Sequence, residues 1–391
     1  MADNNENKVL NVPHLRFPEF SGEWEKYTIN DLATVVGGGT PDTTVKSYWG
    51  GDIQWFTPSE IGKNKYVDFS LRTITRDGLD NSSAKLLPLH TILLSSRATV
   101  GECSIASNEC TTNQGFQSLI AKQCNIDFLY YLIQTKKKDL IRNACGSTFL
   151  EISANEIRKI KVAVPVQNEQ EQIAKLLSLV DERIATQNKI IEDLKKLKSA
   201  IVDRLYSSIN GETYSFHQLF EVANEKNKKL VYKNVLSASQ ELGMIERSDI
   251  NIDIKFEQES ISGYKIVRKG DYVVHLRSFQ GGFAFSDKTG ICSPAYTILR
   301  PNDLVGYGYL SHFFTSKLFI KSLKLVTYGI RDGRSINVDE WLNMTVTLPN
   351  IQEQVRILTI INAIDVKLHI EIKKQSCLFR QKSYLLNTMF I

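Results

Sequence analysis

Pro165-Val-Gln-Asn-Glu169-Gln170-Glu-Gln-Ile173 stands near the middle of this chain of 391 residues, and Pro349-Asn-Ile-Gln-Glu353-Gln354-Val-Arg-Ile357 stands near its end. The second lies 184 residues after the first, and the same step carries Ile152 onto Ile336, Glu156 onto Glu340 and Asp181 onto Asp365 without a gap. Upstream, after small gaps, Leu94-Ser-Ser-Arg97-Ala-Thr-Val-Gly101 lies against Val274-His-Leu-Arg277-Ser-Phe-Gln-Gly281. Phe116 falls on Tyr296, and Tyr27-Thr-Ile-Asn-Asp-Leu32 falls on Tyr214-Ser-Phe-His-Gln-Leu219. A chain that repeats itself this way holds two copies of one plan, each a globular domain followed by a helix.

The helices carry the clearest local signal. From about Gln170 to Ser207 there is neither Gly nor Pro. The apolar positions interlock as two seven-residue series, Ile173, Val180, Gln187, Leu194, Ile201 and Leu177, Ile184, Ile191, Lys198, Leu205, the spacing of a coiled-coil seam. Asn210-Gly211 ends the first helix. The second copy runs Ile357, Ile364, Glu371, Leu378, Leu385 against Ile361, Leu368, Gln375, Lys382, Met389. Lys198 and Lys382 hold equivalent polar seam positions, which predicts a role in fixing how the helices pair. Each helix should be on the order of 55 Å long at ~1.5 Å per residue. If the two copies obey a pseudo-twofold axis, the helices pair antiparallel. The alternative is that each helix packs on its own domain.

The expected class is α+β, two tandem α/β domains each followed by a long helix. Its parts are an arm at 1–20, a first domain at 21–165, a central helix at 166–209, a second domain at 210–349 and a second long helix at 350–391. Strands are predicted at Ile53–Phe56, Thr91–Ser95, Gln117–Ala121, Ile160–Val164, Tyr272–Leu276 and Tyr296–Arg300, and a helix at Ile126–Asn143. That helix carries Lys136-Lys137-Lys138, a run more often a solvated face than a phosphate contact.

Composition sets bounds. A 42% apolar content supports folded cores, and a net charge of +5 suits an anionic partner without naming one. The cysteines Cys103, Cys110, Cys124, Cys145, Cys292 and Cys377 form no CxxC pair, and no zinc-ligand spacing appears, so a reduced, cytoplasmic chain without metal is expected. Met1 to Lys8 is polar rather than a secretory leader, and no stretch nears the ~20 apolar residues of a membrane span. Neither a Walker loop nor an Asn/Asp-Pro-Pro-aromatic methyltransferase motif is present, and no catalytic triad can be argued.

Leu15-Arg16-Phe17-Pro18-Glu19-Phe20, Trp49-Gly-Gly-Asp52-Ile-Gln-Trp55-Phe-Thr57-Pro58-Ser59-Glu60, Ser96-Arg97-Ala-Thr-Val-Gly101 and both Pro-x(3)-Glu-Gln helix starts resemble the specificity subunits of type I restriction-modification enzymes, over essentially the whole chain. The resemblance implies that each domain is a target-recognition domain reading half of a bipartite duplex site, and that the helices space the halves and dock methyltransferase subunits, two of them by expectation. Adenine methylation with S-adenosylmethionine, and cleavage with ATP and Mg²⁺, would then belong to partner subunits, leaving this chain without a catalytic centre or cofactor. The second domain departs from the first: Ser237-Ala-Ser-Gln-Glu-Leu-Gly243 replaces the Trp55-Phe56-Thr57-Pro58 segment. A duplicated adaptor holding two protein partners without reading DNA is the competing reading, and an enzyme with an unrecognised centre is a third.

Base edges are read by Arg, Lys, Asn and Gln, while small polar groups and backbone amides position a protein on phosphates. The candidate DNA contacts are Gly38, Gly39, Thr40, Thr57, Ser59, Lys63, Ser96, Arg97, Thr99 and Gln114 in the first domain. In the second they are Lys228, Lys229, Arg277, Ser278, Gln280, Arg331 and Arg334. Gly37 to Pro41 has a plain turn as its alternative role, and Arg97 and Arg277 an internal salt bridge. Trp55 and Trp341 are expected to be buried aromatics rather than base stackers. Glu169, Gln170, Glu353 and Gln354, at the helix starts, are candidate partner contacts.

Overall fold

The protein is described here by a computed structural model covering residues 11–146, 150–239, 242–247, 258–275, 282–328 and 335–391. It divides into two compact units, one of residues up to 188 together with 373–391, the other of residues 189–372.

The strands of the first unit are β1 (Glu25–Thr28), β2 (Ala33–Gly37), β3 (Trp49–Phe56), β4 (Tyr66–Val67), β5 (Arg72–Ile74), β6 (Ile92–Leu94), β7 (Cys103–Ala106), β8 (Cys110–Thr112), β9 (Gln117–Ala121) and β10 (Lys161–Val164). They form a five-stranded sheet in the order β2-β9-β6-β7-β4, a three-stranded sheet β5-β3-β8, and the antiparallel pair β1-β10. Ile92, Leu93 and Leu94 are all fully buried, so β6 reads as a continuous apolar run rather than an alternating one. The pair β1-β10 brings the beginning and end of the domain together, Glu25 opposite Val164. The predicted strand Gln117–Ala121 coincides with β9, Thr91–Ser95 and Ile160–Val164 overrun β6 and β10 by one residue, and Ile53–Phe56 is only the second half of β3.

The predicted helix at 126–143 is two helices, Ile126–Thr135 and Lys137–Arg142. The break has a local cause: the Thr135 hydroxyl donates to the Leu132 carbonyl at 2.7 Å, in competition with the helical ladder. Lys136 of the basic run points its ammonium at the Ile391 carbonyl, and Lys137 pairs with Glu102.

The second unit contains β11 (Glu212–Ser215), β12 (Phe220–Ala223), β13 (Leu236–Ser239), β14 (Gly243–Glu246), β15 (Lys265–Val267), β16 (Tyr272–Val274), β17 (Phe283–Phe285), β18 (Gly290–Cys292), β19 (Thr297–Pro301), β20 (Thr327–Tyr328), β21 (Ser335–Ile336) and β22 (Thr345–Leu348). Its four-stranded sheet β12-β19-β16-β17 repeats the order β2-β9-β6-β7, and β11-β22 repeats the closing pair β1-β10. Among the described residues the three-stranded sheet is not repeated, and the two-stranded sheets β13-β14 and β15-β18 are found where the two sequences diverge.

The long helices run Gln167–Ser207 and Ile351–Thr388. In the first unit Asp181 pairs with Lys382 at 2.7 Å and Asn188 with Gln375 at 2.5 Å, so ascending one helix descends the other. In the second unit Lys198 pairs with Asp365 at 2.5 Å. The two seam lysines thus each take the aspartate of the other copy, and the antiparallel pairing expected from the repeat is present. The packing on each helix's own domain is also real: Ile173, Leu177, Val180 and Ile184 lie in one core with Phe128, Leu129 and Ile29. Near the end of the first helix the buried positions are Val202 and Tyr206, while the predicted Ile201 and Leu205 are only half-buried. A straight helix drifts ~20° per heptad from a strict seven-residue repeat. Here Tyr206 follows the drift to Tyr309 and Phe313, donating its hydroxyl to the Tyr309 carbonyl at 2.5 Å.

The repeated Glu-Gln pair at each helix start works inward. Gln170 is buried, donates to the Pro165 carbonyl at 2.9 Å and accepts from the Asn125 amide at 3.0 Å. Gln354 does the same with the Pro349 carbonyl at 2.9 Å and the Gly306 amide at 2.7 Å. Expected as partner contacts, both instead lock a helix to its domain. Glu169 is fully buried and held by Arg16 of the arm, whereas its counterpart Glu353 is only half-buried and pairs with exposed Arg356.

Candidate nucleic-acid interface

Topology gathers four loops of the first unit at one edge. Strands β2 and β6 run the same way on either side of β9, so both end where β9 begins: Gly37 lies opposite Gln117, and Ser95 bridges Phe116. Strands β3 and β8 are parallel and end together at Phe56 and Thr112. The loops after β2, β3, β6 and β8 carry Gly38, Gly39, Thr40, Thr57, Ser59, Ser96, Arg97, Thr99 and Gln114.

Cross-links hold these loops together. Gly39 donates to the Thr112 carbonyl at 2.8 Å, Asn113 to the Phe56 carbonyl at 3.0 Å and Ser96 to the Gly115 carbonyl at 2.8 Å. Trp55 Nε1 donates to the Gly39 carbonyl at 2.9 Å, and the Thr40 hydroxyl donates to Gln114 Oε1. Glu60 ties the Thr57 turn: one oxygen accepts from the Thr57 amide at 2.8 Å and its hydroxyl at 2.6 Å, the other from the Leu71 amide at 2.6 Å. That tie, unread in the sequence, holds Phe69 and Leu71 on a loop where both are more than three-quarters exposed.

The glycines earn their place by closeness. A Cβ on Gly38 would lie 2.0 Å from the Asn113 carbonyl oxygen, and one on Gly39 would lie 2.3 Å from the Ala84 amide nitrogen. Gly38→Ala is therefore expected to pry loop 38–41 from loop 113–116 at a cost of about 1–3 kcal/mol. Amide hydrogen exchange should rise at Gly39 and Asn113 while the strands stay protected; unchanged exchange at both would sink the prediction.

The remaining candidates separate. Thr40, Thr57, Ser59, Arg97, Thr99 and Gln114 are exposed or half-buried at the edge. Arg97 lies 3.8 Å from Glu151 with both side chains about half exposed, a pairing weak enough to exchange for an anion. Ser96 is fully buried, and its contribution is the backbone link to Gly115. Lys63, exposed further along the loop after β3, lines a cavity of 990 Å³ with Lys65, Glu102, Lys137, Asp181 and Lys382. Arg72, not foreseen, is an exposed guanidinium stacked 3.6 Å from the Trp49 ring. Trp55 and Trp341 are buried, as expected.

In the second unit the loop after β12 holds Lys226, Lys228, Lys229 and Lys233, all exposed and none in an ion pair among the described residues. Buried Asn227 anchors it, donating to the Tyr232 carbonyl at 2.8 Å and accepting from the Tyr232 amide at 3.2 Å. This loop occupies the position of the Gly38–Thr40 loop and offers cations where the other offers small polar groups. The run Lys226-Asn-Lys-Lys-Leu-Val-Tyr-Lys233 was signal enough for Lys226 and Lys233, which the sequence reading passed over. Arg277, Ser278, Gln280, Arg331 and Arg334 lie outside the described residues. Burial pushes the thiols of Cys103, Cys110, Cys124 and Cys292 up to about 12, which leaves them poor nucleophiles.

Comparison with known proteins gives a consistent result. The profile described as the type I restriction modification DNA specificity domain matches residues 21–196 and again 210–377. The type I restriction enzyme MjaIX specificity subunit of Methanocaldococcus jannaschii is 39% identical over 183 residues, 45% of this chain and 42% of that relative, so the alignment spans under half of either protein. Among solved structures, the type I restriction-modification system S subunit from M. genitalium aligns over 97% of this chain and 99% of its own, with a TM-score of 0.54 and 16% identity. A chain solved in work on complex assembly and conformational transition of the type I R-M system aligns over 96% and 99%, with a TM-score of 0.62 and 13% identity.

Proposed function

This chain belongs to the type I restriction-modification DNA specificity family, and from that premise we propose that it is the DNA-reading subunit of such a complex, each unit reading one half of a bipartite duplex site. The observation that carries the reading is the repeated sheet order with its loop edge, polar and cross-linked in the first unit and lysine-rich in the second. Two edges that differ in chemistry suit two different half-sites. The paired helices set the separation of the halves and offer exposed apolar side chains such as Leu179, Val366 and Phe379 to methyltransferase subunits. In this proposal S-adenosylmethionine, ATP and Mg²⁺ act in the partner subunits, and this chain supplies recognition alone. A family described by DNA specificity is what the adaptor reading fails to account for. No helix among the described residues is long and apolar enough to cross a membrane.

The test is an exchange of residues 210–349 for the equivalent segment of a relative, followed by methylation mapping of the assembled enzyme. One half of the recognised site should change and the other stay. A change in both halves would overturn the two-reader proposal.

A further inference from the structure

Gln114 is exposed on a backbone that is held on three sides. Asn113 before it donates its amide to the Phe56 carbonyl at 3.0 Å, and its side-chain oxygen accepts from the Gly115 amide at 2.8 Å. Gly115 after it receives the Ser96 amide at 2.8 Å, and a Cβ there would lie 3.0 Å from Pro58 Cγ. The side chain is fixed as well, since the Thr40 hydroxyl donates to Oε1. Nε2 keeps both donors open, without a partner among the described residues, and Oε1 keeps its second lone pair.

An exposed glutamine ordinarily carries considerable rotamer entropy that binding must remove. Here the loop and Thr40 have already removed much of it. What remains displayed is a donor beside an acceptor in one plane. Adenine is the base whose major-groove edge complements that pair, with N7 accepting and the N6 amino group donating; guanine offers two acceptors at the same place. Arg97 and Ser59, on neighbouring loops, supply the phosphate-type contacts that would hold the duplex in register.

We propose that Gln114 is the adenine-reading residue of the first unit and that Thr40 is its positioning residue, orienting the amide before DNA arrives. This rests on the DNA-reading proposal above and narrows it to one base at one position.

The experiment uses the full chain assembled with its methyltransferase subunits and a randomised duplex library, read by sequencing the bound fraction. Gln114→Ala should relax a single position that the unmodified protein reads as adenine, losing roughly tenfold to a hundredfold in discrimination there and leaving the other positions intact. In defined duplexes, 7-deazaadenine at that position removes the N7 acceptor. It should weaken the unmodified protein about tenfold and leave Gln114→Ala indifferent. Thr40→Val keeps the volume and loses the hydroxyl, so it should narrow the adenine preference, and Thr40→Ser should restore it. Uniform weakening of every sequence by Gln114→Ala would make it a phosphate contact and overturn the assignment. A Thr40→Val protein with full discrimination would overturn the positioning role. An unmodified complex that enriches no sequence at all fails differently, by removing the DNA-reading proposal itself.

Discussion

Arg16→Ala should destabilise the first unit by about 3–5 kcal/mol, because it strands a buried charge that pairs with no other cation among the described residues. Arg16 grips Glu169 with two hydrogen bonds of 2.8 Å, and the carboxylate is fully buried. Trp24 Nε1 also donates to this carboxylate, at 3.3 Å, and cannot neutralise it. The hydrogen bond to Glu169 in turn raises the guanidinium further above its ordinary value, the sign expected of a partner that favours the charged form. Hydrogen exchange resolved by peptide is the suitable measurement. The helix Ile126–Thr135 should exchange two to three orders of magnitude faster, and peptides of 212–223 should not respond. The repeat supplies the control: Glu353 and Arg356 form the corresponding pair in water, and Arg356→Ala should change little. Equal responses to the two substitutions would show that burial of Glu169 is not what matters.

Trp341→Ala should cost the second unit about 3–5 kcal/mol by opening a cavity among rings that cannot collapse into it. Trp341 is fully buried and stacks on Phe216 at 4.3 Å and 13°, with Phe283 at 5.0 Å and both Phe220 and Phe314 at 6.0 Å. One detail divides the substitutions. The indole Nε1 is buried without a hydrogen-bond partner among the described residues. Trp341→Phe removes that orphan donor while keeping much of the stacking, so its loss should be well below that of Trp341→Ala. In calorimetry of the full chain, a melting transition that both variants lower equally would refute this account. Under the proposed two-reader function, Trp341→Ala should erase recognition of the second unit's half-site before it affects the other.

The duplication, the α+β class and the helix pairing were all readable in one sequence, because a repeat imposes its spacing on every level above it. Lys198 and Lys382 were visible as polar interruptions of an apolar seam. Their partners Asp365 and Asp181 were not, since a seven-residue pattern says which face a side chain takes and nothing about what stands across from it. The Glu-Gln pair misled in an instructive way: polar residues at a helix start look exposed, and only the Pro165 and Pro349 carbonyls reveal that Gln170 and Gln354 face inward. The loop edge was partly legible. Thr40 and Gln114 stood out by residue type, but their contact joins positions 74 apart and depends on β2 and β8 ending at the same edge. Lys63 lies three residues past the Trp49–Glu60 segment that resembles the family and lines a cavity beside Lys65 and Glu102, a placement its residue type does not show.

The first unit borrows residues from the far end of the sequence, and this bears on how the protein is made. Leu15 donates to the Thr388 carbonyl at 2.9 Å, and Leu385, Met389 and Phe390 belong to the core built around Trp24 and Phe128. Residues 189–372 form their unit from one unbroken stretch. On a ribosome adding about 5–20 residues per second, residue 390 follows residue 188 by roughly 10–40 s. Through that interval the half translated first waits with Trp24 and Phe128 uncovered, while the half translated second has everything it needs to close. The first unit therefore completes its core only when the last residues emerge, and a nonsense codon near position 380 would be felt first in the domain at the opposite end of the gene.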